Sequence, residues 1–108
     1  MESETFDKIV ELVGEGNYKI STHALGELIE DELTADDVVN NIGDAELLED
    51  YPDFPKGRSI LLMHAREGDV PVHTVWGIPK GHDSPAVLIT AYVPDPARWS
   101  EDFRERRS

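Results

Sequence analysis

The sequence predicts an α+β fold in which N-terminal helices pack on one face of a small, mostly antiparallel four-stranded sheet, with a further helix at the C-terminal end. Apolar residues recur at helical spacing through about Ile42, and the period then changes to the two-residue alternation of strands. Short connections between consecutive strands favour an antiparallel meander. With 108 residues, 39% hydrophobic and 31% charged, the chain has the length of one domain and enough apolar residues to close one small core.

Ser3 caps a first helix over residues 3 to 14, whose Phe6, Ile9, Val10 and Val13 share a stripe and which Gly14 and Gly16 end. Asn17 to Ile20 reads as a short extended piece. Ser21 or Thr22 then caps a second helix, with Ala24, Leu25, Leu28 and Ile29 on one face, ending near Asp31. A third helix opens at Thr34, where Asp37 supplies the acidic form of a capping box, and runs to Gly43 with Ala35, Val38, Val39 and Ile42 inward.

Ala45 to Tyr51 reads as a strand stopped by Pro52. In Arg58 to Arg66, Arg58, Ile60, Leu62, His64 and Arg66 alternate with Ser59, Leu61, Met63 and Ala65. Gly68 and Asp69 turn the chain into a strand from Val70 to Gly77, and the apolar run Ala86 to Val93 reads as a central fourth strand. Asp95 and Pro96 suit the start of a last helix carrying Trp99 and Phe103 one turn apart.

Composition excludes several functions. Without cysteine there is no disulfide, thiolate metal site or cysteine nucleophile. Met1 to Phe6 is acidic and polar, and no apolar run approaches the roughly 18 to 20 residues of a membrane span, so neither export nor anchoring is expected and a cytoplasmic setting is. The net charge of −13 repels nucleic acid and anionic membrane at long range, and it is unevenly placed. Residues 1 to 54 hold 16 acids against two lysines, a balance of −14, whereas residues 55 to 108 hold eight cations against seven acids, a balance of +1. That asymmetry suits either a solvated acidic face or a surface that docks a basic partner.

Four histidines are the candidates for proton transfer near neutral pH. His23, in the first turn of helix two, meets a dipole that favours the neutral, proton-accepting ring; its other role is to bond a backbone carbonyl and fix how the chain enters the helix. His73, mid-strand opposite Val72, Thr74 and Trp76, is either a core ring or part of a site, and His64 and His82 read as surface residues. Arg58, Arg66, Lys80 and Arg98 can steady a phosphate or simply charge an edge, and Arg104, Arg106 and Arg107 suit a helix C-terminus. Thr90 and Tyr92 share one strand face, Tyr92 as a phenolic donor or a core ring. No histidine spacing fits a chelating motif and no phosphate-loop or serine-hydrolase motif occurs, so no metal or other cofactor is expected.

The segments YKISTHALGEL, LTADDVVNNIGDAELLEDYPDFPKG, PVHTVWG and LITAYVPDPARW occur in an order that resembles the small prokaryotic family catalogued as domain of unknown function 4258. The likeness runs from about Tyr18 to Trp99, with helix 3 to 14 and the tail 100 to 108 as extensions. The resemblance implies a fold related to the RelE and BrnT type of ribonuclease toxin, often encoded beside a small antitoxin. Its pattern falls on His23, Tyr51, His73, Thr90, Tyr92, Pro94 and Trp99. Gly26 and Asp31 stand where the family commonly has basic residues in and after helix two.

Two functions are therefore expected. One is a metal-independent endoribonuclease acting on RNA, with His23, His73 and Tyr92 catalytic and Arg58, Arg66 and Thr90 holding substrate. The other is a non-catalytic module whose acidic helical face or sheet edge binds a protein partner, in which the departures at positions 26 and 31 fit naturally.

Overall fold

In a computed structural model, which describes residues 3–40, 42–66 and 68–107, the chain folds as α1 (Glu4–Gly14), β1 (Tyr18–Ile20), α2 (Thr22–Glu30), α3 (Asp36–Val39), β2 (Glu46–Tyr51), β3 (Ser59–His64), β4 (Val72–Gly77) and β5 (Ala86–Tyr92). The α+β class is as expected, but the sheet has five strands rather than four, in the order β1-β5-β4-β3-β2. The short piece before helix two is the addition: β1 pairs with β5 in parallel, and the other pairs are antiparallel. No helix among the described residues is long and apolar enough to cross a membrane.

The helix ends follow from their caps. Ser3 Oγ accepts the amide of Phe6 at 3.1 Å, and Ser21 Oγ accepts that of Ala24 at 3.0 Å. Thr34 and Asp37 form the reciprocal box. The third helix is shorter than predicted, because Asn40 adopts extended dihedrals (ψ 137°) and a 3-10 turn over Ile42–Asp44 comes after it. Asparagine's competing side-chain hydrogen bonds make it a poor helix former. Asn41, inside the predicted helix, and Ser108, at the end of the predicted tail, lie outside the described residues.

Among the described residues no helix comes after β5. Asp95 caps a single turn by accepting the amide of Ala97, and the chain then reverses, with Trp99 bridged to Arg106 as in a hairpin. Ser100 and Asp102 bind neighbouring groups within this reversal, offering the backbone partners that a helix would otherwise supply.

The helices cover one face of the sheet. Ile60, Leu62, Val72, Trp76, Leu88 and Ala91 project into them and meet Ile9, Leu12, Ala24, Leu28, Val38 and Ile42. Trp76 is fully buried, with Tyr18 edge-on at 6.3 Å between centroids. Beyond the end of β1, α2 closes the open edge of β5 with its side chains. Ser21 Oγ donates to the Ile89 carbonyl, Glu27 accepts from both Thr90 Oγ1 and the Ala91 amide, and Asp31 accepts from the Val93 amide. Strand groups left open by the short β1 are thus satisfied.

Gly57 and Gly26 make contrasting tests. At Gly57 (φ +134°) an added Cβ would lie 2.1 Å from the Ile78 carbonyl oxygen, whereas at Gly26, inside α2, it would meet nothing within 4 Å. Gly57→Ala is expected to lower stability by at least about 2 kcal/mol. Gly26→Ala is expected to raise it by about 0.5–1 kcal/mol through helix propensity. Urea denaturation midpoints of both variants check the pair.

Candidate functional site

The second face of the sheet carries the candidate site, and two β-bulges build it. In β2 the pairing jumps from Leu47↔Leu62 to Glu49↔Leu61, so Glu46, Glu49 and Tyr51 all fall on the face away from the helices. In β5 it jumps from Leu88↔Trp76 to Thr90↔Val75, which turns Thr90 and Tyr92 to that same face, beside His73. One extra residue reverses every later side chain, and simple alternation would have sent Glu49 and Tyr92 to the other side.

His73 lies at the centre with no exposed surface. Its Nδ1 is 3.3 Å from the Tyr92 hydroxyl, and the Trp99 ring stands edge-on to it at 4.4 Å. Among the described residues Nε2 has no hydrogen-bond partner, an omission that costs about 1–3 kcal/mol in a buried group. Burial holds the ring's pKa below the usual histidine value; the Phe103 backbone opposes that shift without meeting hydrogen-bond geometry.

Residues 94–107 pass over this face from β5 toward β2. Trp99 is 4% exposed and lies beneath the Arg106 guanidinium, 4.8 Å from the ring centroid. Arg106 donates to Glu49 at 3.0 Å, Tyr51 donates its hydroxyl to the same carboxylate, and Arg104 bonds Glu46. Burial alone would raise the Glu49 pKa, but the hydrogen bonds from Arg106 and Tyr51 outweigh it and hold the carboxylate below its usual range. Phe103 sits at φ 61°, a conformation that costs a non-glycine residue about 1–2 kcal/mol.

The expected residues separate into three places. His73 and Tyr92 meet, as above. His23 instead stands on α2 with its side chain 72% exposed, Nε2 3.2 Å from Glu27, whose carboxylate continues to Thr90. Because His73 is sealed, the two imidazoles do not share an open cleft. Arg58 faces Asp83 at 3.8 Å, and Arg66 is held by the Val70 carbonyl and Asp69. The guanidinium at His73 is Arg106, which the sequence suggests only as a charged helix end.

His64, expected at the surface, is buried on the helix side, where β3 runs under the helical layer. Its Nε2 is 2.7 Å from Thr74 Oγ1, and burial, with His73 adding to it, pushes the pKa down to about 4. Beside it opens a cleft of about 550 Å³ lined by Asp36, Asp37, Asn40, Asp44 and Arg66. Among the described residues no three His, Asp or Glu side chains are close enough to hold a metal ion. His82 is exposed on its loop, as expected.

Residues 20–93 match the family model described as Domain of unknown function (DUF4258). The chain belongs to this family. No curated protein and no solved structure matches it. The DUF4258 segment contains His23, His64, His73 and both bulges, and stops at the residue where the chain leaves β5; Trp99 and Arg106, which cover His73, lie beyond it.

The pH dependence of stability follows from the two buried rings. Both pKa values lie below 6.5 in the folded chain, so the unfolded state binds more protons on acidification. Their contribution is complete above pH 6.5 and is lost as the pH falls toward 4, on the order of 3 kcal/mol for His64. The Tm is expected to drop across that window and His64→Gln to flatten the profile; a level wild-type profile contradicts this.

Proposed function

We propose that the protein is a binding module that takes a basic, amphipathic protein segment on the outer face of α2. The observation that carries this reading is an exposed apolar pair, Leu25 at 50% and Ile29 at 69%, spaced one helical turn apart. Acids surround the pair: Glu30, Asp31 and Glu32 come directly after it, and no lysine or arginine occurs between Lys19 and Lys56. Apolar anchors within a field of one sign suit a helix that presents an apolar stripe flanked by cations. A small antitoxin-like protein is one source of such a helix, in a cytoplasmic setting.

A second reading, a metal-independent endoribonuclease, rests on the RelE and BrnT type of toxin fold that the sequence resemblance implies and on His23. That ring is exposed and joined through Glu27 to Thr90, a relay able to take up a proton at the surface. The sealing of His73 leaves this mechanism with one accessible imidazole, and the surrounding acids repel a phosphodiester.

The two readings are tested together. Leu25→Asp with Ile29→Asp is expected to abolish co-purification of a partner from the native host while leaving the fold intact by circular dichroism. Retention of the partner by this double variant refutes the binding reading. Single-stranded RNA incubated with the protein and a chelator is expected to stay intact; cleavage that His23→Ala removes would establish the nuclease instead.

A further inference from the structure

We propose that the sheet face bearing Glu49, Tyr51, His73 and Tyr92 is a second docking site, for a partner segment that presents an aromatic ring and a guanidinium side by side, and that residues 94–107 are a resident strap which such a partner displaces. The site does not involve the outer face of α2, and different variants test it.

The strap shows what the face accepts. Trp99 and Arg106, opposed across a two-residue bridge, place an indole against His73 and a guanidinium on Glu49. Around that guanidinium the face offers a carboxylate, a second carboxylate at Glu46 taken by Arg104, and the Tyr51 hydroxyl. Aromatic and arginine side chains are the usual anchors of protein recognition, and here one face of the sheet takes both, stacked on each other.

Four observations mark the strap as separable from the fold beneath it. The matched family segment ends at residue 93, ahead of Trp99 and Arg106, which cover His73 from outside. The Val93 amide is bonded to Asp31 of α2, which fixes the end of β5 independently of the strap. The strap is a small hairpin whose backbone hydrogen bonds, from Arg98, Ser100, Phe103 and Arg107, all run within itself, and it carries Phe103 in the left-handed region, which a bulky residue resists. Its polar anchors, Arg104 to Glu46 and Arg106 to Glu49, lie at the surface, where salt screens them. Below it, the orphaned Nε2 of His73 offers a donor or acceptor that the strap does not satisfy and a better-fitting partner can.

The strap competes from within the same chain, so its effective concentration is high and a segment added from outside must bind a minor, open population. The test uses the full chain and, as probe, a fluorescein-labelled synthetic peptide of residues 94–107. A Trp99→Ala, Arg106→Ala double variant, which loosens the resident strap, is expected to bind the peptide at least about tenfold more tightly than wild type does. The same peptide carrying W99A and R106A is expected not to bind. Equal affinity for both proteins, or none for a folded double variant, overturns the proposal. A wild-type dimer that exchanges straps also overturns it, since the occupant is then a second copy of this chain.

A second measurement needs no variant. Diethyl pyrocarbonate modification, mapped by mass spectrometry, is expected to reach His73 in the wild-type chain faster as NaCl is raised, while His64 stays protected. His73 protection that does not change with salt, or that is lost only together with His64, shows that the strap opens only by global unfolding and sinks the idea.

Discussion

Strand β5 has to be paired on both sides, and the way its outer edge is paired fixes most of the molecule. β1 reaches only as far as Leu88, and from there α2 supplies the partners through Ser21, Glu27 and Asp31. A helix whose side chains bond a strand edge cannot slide or rotate, so α2 is held in register with the sheet and Ala24 and Leu28 are aimed at the core. Leu25 and Ile29, which share the apolar stripe with Ala24 and Leu28, fall at its solvent-facing margin in that orientation and stay exposed, and His23 is exposed as well. The carboxylates here are structural partners of backbone amides, which explains why acids stand where a nucleic-acid-binding surface would want cations.

The helices are legible in the sequence because their signals are local. Ser3, Ser21 and the Thr34 and Asp37 pair each act within three residues, and each hydrogen bond is present in the fold. Strand positions are legible for a similar reason, since alternation is a short-range pattern. Features that depend on long-range pairing leave no such trace. Three residues, Tyr18 to Ile20, are too few to announce a strand, and they become one only because β5 offers an edge. Asp95, Pro96 and the spacing of Trp99 and Phe103 predict a final helix, but Trp99 is instead drawn onto His73, and the tertiary contact overrides the local preference.

The candidate site shows the same limit more sharply. His73 and Tyr92 are recognisable as residue types suited to chemistry, but their meeting depends on the extra residue at Ile89, and the arrival of Glu49 depends on the one at Leu48. Neither bulge has a glycine or other local mark. Arg106 is visible in the sequence only as one of several terminal arginines, and its role follows from a reversal of the chain at Ser100 to Glu105. Charge, by contrast, is plain as a property of halves: the acidic excess belongs to the first 54 residues, and the arginines of the tail meet the few acids that the second sheet face presents.

The bond between Asp31 and the Val93 amide ties off the last strand at the point where the family segment ends. Whatever sequence is joined after that knot starts from a strand whose last amide is already bonded. Residues 94–107 therefore set the character of one face of the sheet, while the core under the helices lies on the other.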